Sequence, residues 1–162
     1  MYTQFDHTIK EFEEIVVEIR RISKKTKGGN TIRFSALVVV GDRKGKVGVG
    51  LSKAPDVRSA IIKSTNYAKR RMITVPLKSS TIPYSVKQKF SAAKILLKPA
   101  PSGSGIIAGG AMRVVLEAAG IKDAVGKILG SRNKISNVYA TLEALRQISD
   151  IDRQRKSKDK ND

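Results

Sequence analysis

"TIRFSALVVVGDRKGKVGVGLSKA", residues 31–54, spells out two strands and the turn between them. Ile32, Phe34, Ala36, Val38 and Val40 recur at every second position, the repeat of a pleated strand with one face turned to a core. "GDRKGK" (41–46) carries turn residues, and "VGVGL" resumes the alternation with Val47, Val49 and Leu51 on one side. Gly48 and Gly50 leave the other side as bare backbone, where a helix or a ligand can approach closely.

Upstream, "EIVVEIRRI" (14–22) alternates Ile15, Val17 and Ile19 and changes phase at Ile22, where a strand is expected to end or bulge. "SKKTKGGN" (23–30) then reads as a hairpin tip that projects Lys24, Lys25 and Lys27. Three antiparallel strands result. Downstream, Pro55 and Asp56 open a helix with Asp56 as its N-cap. Val57, Ala60, Ile61, Ser64, Ala68 and Met72 form the stripe that would cover the sheet, and Arg58, Lys63, Lys69 and Arg70 face outward.

The second half starts with short strand-like pieces: "ITVPLK" (73–78), "TIPYSVKQKF" (81–90) and "AKILLK" (93–98). Pro76 and Pro83 suggest edge positions. A helix over "AMRVVLEAA" (111–119), closed by Gly120, precedes the strand "DAVGKIL" (123–129). The last helix, "NKISNVYATLEALRQI" (133–148), buries Ile135, Val138, Leu142, Leu145 and Ile148. The expected fold is α+β with two small domains, 13–73 and 74–148, an N-terminal arm over 1–12 and a charged flexible tail over 149–162.

Charge narrows the function. Thirty-two Lys and Arg against 14 Asp and Glu give +18 over 162 residues, which repels itself unless a polyanion neutralises it. Between residues 19 and 116 stand 21 Lys or Arg and two acids, Asp42 and Asp56, so the excess belongs to the folded body. Nucleic acid lodged against both halves is the partner this implies. With no cysteine and a single His7, thiolate metal sites and disulfides are excluded, and no metal, cofactor or catalytic residue is expected. No apolar run reaches the ~18 residues of a membrane span, and the N-terminus lacks a secretory pattern, so no membrane partner is expected and the location expected is cytoplasmic, or organellar.

"SGSGIIAGGAMR" (102–113) imitates a dinucleotide-binding turn, with Asp123 as the ribose acid. The spacing is G-x-G-x-x-x-G, Pro99 and Pro101 intervene, and Asp123 would open a strand where the ribose acid closes one. No Gly-Lys-Ser/Thr makes a P-loop. The glycines read instead as a loop that permits close backbone packing. Stretch 57–116 has no acid, which argues against acid–base catalysis. There is no Trp, and Tyr67, Tyr84 and Tyr139 read as packing residues, which argues against stacking modes of RNA binding. Contacts from Lys, Arg and backbone amides to phosphate and ribose remain.

"KGGNTIRFSALVVVGDRKGKVGVGLSKA" (27–54) and "PSGSGIIAGGAMRVVLEAAGIKD" (101–123) resemble the signatures of bacterial-type ribosomal protein five of the small subunit, a universal family. The resemblance covers 13–148. It implies a double-stranded-RNA-binding-domain-like N-terminal unit, three antiparallel strands packed on one helix, and a C-terminal two-layer α/β unit with a left-handed βαβ crossover. It implies a structural role: binding 16S-type rRNA between body and head, contact with small-subunit proteins four and eight, and proximity to mRNA at its entry channel. Roles in assembly and decoding accuracy come with it, as does one copy per subunit with no homo-oligomer. The alternative is a free-standing double-stranded-RNA-binding factor.

On this resemblance the expected RNA-binding residues are Arg20, Arg21, Lys24, Lys25, Thr26, Lys27, Gly28, Gly29, Asn30, Arg33, Arg43, Lys44, Lys46, Ser52, Lys53, Lys69 and Arg70. Lys24 to Gly29 match the family's hairpin tip, linked to spectinomycin sensitivity, and Ser52 and Lys53 its strand-to-helix turn. Asn30 stands where the family commonly has a basic residue or Gln. Gly103, Ser104, Gly105 and Arg113 match the segment beside protein four and rRNA.

Overall fold

A computed structural model describes residues 11–159, so most of the expected arm and the last residues of the expected tail lie outside the described chain. Strands β1 (Glu13–Thr26), β2 (Gly29–Gly41) and β3 (Lys46–Ala54) form an antiparallel meander, as their alternation requires. A fourth strand, β4 (Ile73–Thr74), pairs with β3 through Lys46↔Thr74 and Val47↔Ile73. The segment assigned to the second unit therefore completes the first sheet, in the order β1-β2-β3-β4. The amide of Val75 extends that attachment, donating to the Gly45 carbonyl at 2.7 Å.

The phase change in β1 also lies elsewhere than expected. The register shifts between Val16 and Glu18 and then runs unbroken to Thr26↔Gly29, so Ile22 neither ends nor bulges the strand. Val17 supplies the extra residue, and the added twist bends β1 where it leaves the core.

Helix α1 (Val57–Arg70) packs on one face of this sheet, with the Asp56 carboxylate accepting from the Ser59 amide at 2.9 Å as N-cap. Ala36, Val38 and Val40 of β2 meet Ala60 and Ala68 there. The bare side of β3 serves this helix: a Cβ at Gly50 would collide with the Ser64 carbonyl, and one at Gly48 with that of Ala68. Ser64 closes the contact by donating its hydroxyl to the Ala36 carbonyl at 2.8 Å.

The second sheet has the order β5-β6-β8-β7, built from β5 (Val86–Phe90), β6 (Ala93–Pro99), β7 (Ile106–Ile107) and β8 (Ala124–Ile128). Helix α2 (Gly110–Ala118) connects the parallel pair β7 and β8. Neither Pro76 nor Pro83 lies in a strand; both flank a turn closed by the Lys78↔Thr81 bridge. Helix α3 runs Lys134–Lys158, through the segment expected to be a frayed tail. Arg155 stacked over Tyr84 at 4.3 Å and Lys156 paired with Asp152 at 2.8 Å hold its last turns.

The two units share one core. Leu37, Val39, Val47 and Val49 on the second face of the first sheet cluster with Val115, Leu116, Val138 and Leu145 from α2 and α3. This explains the unbroken apolar run Ala36–Val40: β2 is buried on both faces. The turn after β2 is bolted to the end of α2, with the Arg43 and Gly45 amides donating to the carbonyls of Ala118 and Ala119. Among the described residues no helix is long and apolar enough to cross a membrane.

Candidate nucleic-acid interface

The β1–β2 hairpin outruns the rest of its sheet. Pairing of β2 with β3 ends at Phe34↔Ala54, whereas β1 and β2 continue to a tip at Lys27 and Gly28. Every residue from Ser23 to Arg33 is exposed, so this ribbon contributes little to the core. The backbone closes by itself: Gly29 adopts φ +134°, and Thr26 Oγ1 donates to the Gly29 carbonyl at 2.8 Å.

Cross-strand register decides which cations meet. Lys24, opposite Thr31, and Arg33, opposite Ile22, share one face of the ribbon. With Thr26 and Lys53 they line a concavity of about 370 Å³, so four of the expected residues converge in space from three strands. Arg21, Lys25 and Asn30 occupy the opposite face. Lys27, Gly28 and Gly29 form the tip between the two.

A second group lies along α1. Ser52 and Arg70 line a groove of about 440 Å³ together with Ser59, Lys63 and Asn66. The last three are absent from the expected set, although Ser59, Lys63, Asn66 and Arg70 recur at helical spacing and face one way. That period was the available signal.

The remaining expected residues stand apart. Lys44 and Lys46 project from the β2–β3 turn, where the Asp42 carboxylate accepts from both their amides at 2.7 and 2.9 Å. From Asn30 to Gly41 the strand spans ~36 Å at ~3.3 Å per residue, so this turn is at the far end of the sheet from the hairpin tip. Three of the expected cations are neutralised within the protein: Arg20 by Glu18 at 2.8 Å, Lys69 by Glu14 at 2.8 Å, and Arg43 by a two-pronged bond to Glu13. The bond to Glu13 and its charge raise the Arg43 pKa above the ordinary guanidinium value. The Glu13 and Glu14 pairs fasten β1 to the β2–β3 turn and to α1, whereas Glu18 and Arg20 pair along β1 itself.

The glycine loop is organised by an acid. The amide of Gly105 donates to the Asp123 carboxylate at 2.8 Å, and Asp123 is buried. Hydrogen bonds from Ser80 first, then from the Gly105 amide, hold its pKa below the usual carboxylate range. Gly103 and Gly105 adopt φ +88° and +70°, yet a Cβ on either would meet nothing within 4 Å. They are needed for a left-handed backbone, which corrects the expectation of close packing; only Gly109, against Ile128, is tightly packed. Ser104 is exposed in this loop, and Arg113 donates to the Ile106 carbonyl at 3.1 Å. Arg113 and Arg43 line a cleft of about 650 Å³ with Glu117 and Lys122.

Among the described residues each tyrosine has one face covered, Tyr84 by Arg155. Tyr139 stacks on Phe90 with ring centres 5.5 Å apart, and Arg71 covers Tyr67 at 4.4 Å. Among the described residues no cluster of three His, Cys, Asp or Glu is gathered. Phosphate contact by cations, without stacking, is the chemistry these surfaces can perform.

A basic α+β protein of two units on one core, with cations raised on a ribbon and a helix flank, falls in a polyanion-facing class. Residues 12–76 match the family described as "Ribosomal protein S5, N-terminal domain", and residues 88–158 match "Ribosomal protein S5, C-terminal domain". The chain belongs to the ribosomal protein S5 family, a family of ribosomal proteins and not of enzymes. It is 51% identical over 149 residues to the "Small ribosomal subunit protein uS5" of Thermus thermophilus, covering 90% of this chain and 92% of that protein. It is also 51% identical over 148 residues to the "Small ribosomal subunit protein uS5c" of Spinacia oleracea, covering 89% of this chain and 48% of that longer protein.

Proposed function

We propose that the protein is a structural constituent of the small ribosomal subunit that clamps 16S-type rRNA between body and head. The observation carrying this is the exposed ribbon Ser23–Arg33, whose cations stand clear of the core with no described acid among them. A ribbon free of core duties can enter a crevice between RNA helices. The α1 groove at Ser52, Lys63 and Arg70 engages a second helix, so neutralising several RNA segments at once stabilises their junction. The loop at Gly103–Gly105 and Arg113 faces protein four, while protein eight and the mRNA entry channel adjoin other surfaces. Decoding accuracy then follows from how the protein-four contact resists or permits closure of the subunit. The site of action is the ribosome of the cytoplasm or of an organelle.

Changing Lys24, Lys25 and Lys27 to Ala tests the ribbon. Because each engaged phosphate contributes ~0.7 to 0.9 to the log–log salt slope of RNA binding, the triple variant should lose about 2 to 3 units. Its melting temperature should be unchanged, and its sedimentation with small subunits through high salt weakened. An unaltered slope would refute the assignment. Sedimentation of the unmodified protein only with free RNA-binding factors would favour the free-standing reading.

A further inference from the structure

The outward face of the second sheet is a lysine surface that the hairpin and α1 leave unexplained. Ala93, Ile95 and Leu97 of β6 point to the helices, so the alternate positions Lys94, Leu96 and Lys98 point away. Register aligns the neighbours: Lys89 stands opposite Lys94, Lys87 opposite Leu96, Leu96 opposite Lys127, and Lys98 opposite Val125. Five exposed lysines from three strands therefore share a patch ~10 Å across and ~13 Å long.

No described ion pair involves any of them. Lys89 against Lys94 is a like-charge pair directly across a ladder, an arrangement that destabilises a sheet standing alone. An anion covering both would relieve the repulsion. Protein interfaces are depleted in lysine, which disfavours a protein occupant. Phe90, the aromatic of β5, is on the opposite face against Tyr139, so single-strand stacking has no platform here.

We propose that this face is a second RNA-contact surface, on which Lys87, Lys89, Lys94, Lys98 and Lys127 bind the phosphates of an RNA duplex. The aliphatic stems of the lysines flank Leu96, which is half-buried at the centre. The surface is independent of the hairpin, because it belongs to the other sheet and faces away from the shared core.

The test uses the full chain, a short RNA duplex as probe, and acylation of lysine read by mass spectrometry. The five lysines should react freely without RNA and be protected with it, and protection should persist in the chain carrying the three hairpin Ala substitutions. Changing all five to Gln should lower the salt slope by about 3.5 to 4.5 with circular dichroism unchanged, and changing them to Arg should restore it. Equal reactivity with and without RNA overturns the proposal, and this footprint decides the matter even if the Gln variant fails to fold. Protection that arises only when other subunit proteins are added also overturns it, since the occupant would then be a protein.

Discussion

Gly50→Ala is the substitution that most directly probes how this fold places its cations. Gly50 faces α1, and a Cβ there would overlap the Ser64 carbonyl and lie 3.1 Å from the Ala68 amide nitrogen. Both neighbours are helix backbone, so no flexible side chain can swing aside. The helix must retreat as a body. Overpacking of this kind costs about 1 to 3 kcal/mol. Retreat also pulls the buried Ser64 hydroxyl off the Ala36 carbonyl, 2.8 Å away, and an orphaned buried group adds about 1 to 2 kcal/mol. The total of about 2 to 5 kcal/mol is a large part of the ~5 to 15 kcal/mol that holds a domain together. At ~2 to 4 °C per kcal/mol, the melting temperature should fall by about 4 to 20 °C. Gly28→Ala is the matched control, because a Cβ at the hairpin tip meets nothing within 4 Å and Gly28 has no positive φ. It should stay within about 0.5 kcal/mol of the parent. Denaturant unfolding of both variants, with hydrogen exchange on the α1 amides, reads the difference. If Gly50→Ala matched Gly28→Ala in stability, α1 would not lie against β3 as described, and the groove joining Ser52 to Lys63 and Arg70 would lose its basis.

Asp123→Asn should change the pH dependence of stability. Because the folded-state pKa of Asp123 is lowered, its contribution is present above the unfolded value of ~3.9 and is lost as pH falls through the folded value. The parent should therefore lose more stability than the variant between about pH 5 and pH 2, measured as melting temperature against pH; parallel curves would remove Asp123 as the anchor of the Gly103–Gly105 loop. Leu116→Ala, at the fully buried junction of α2 with the first sheet, should cost about 2 to 5 kcal/mol and lower the stability of both units in one transition. Two separate transitions in fluorescence or calorimetry would contradict a shared core.

Local order was legible in the sequence where the chain states it locally. The alternation over Ile32–Val40, the Asp56 cap and the unpaired lysines of the hairpin are all readable within a few residues, and the motifs at 27–54 and 101–123 pointed to the family. The candidate hairpin residues could be read for the same reason, since a turn and its charges are neighbours in sequence. Pairing over distance was not legible. Nothing in "ITVPLK" says that it joins β3 across the whole of α1, and nothing in "SDIDRQRKSK" shows the Tyr84 ring that Arg155 stacks upon.

Composition and period thus determined the α+β character, the cationic body and the absence of thiol chemistry, because side-chain type and spacing are properties of the chain itself. Tertiary structure alone decided which charges act together. Glu13 and Glu14 silence Arg43 and Lys69 only because β1 lies beside the β2–β3 turn and α1, and Lys87 meets Lys127 across Leu96 only because β6 is between their strands. Electrostatic interaction depends on distance through space, and the register of strands far apart in sequence, set by burial of one shared core, determines that distance.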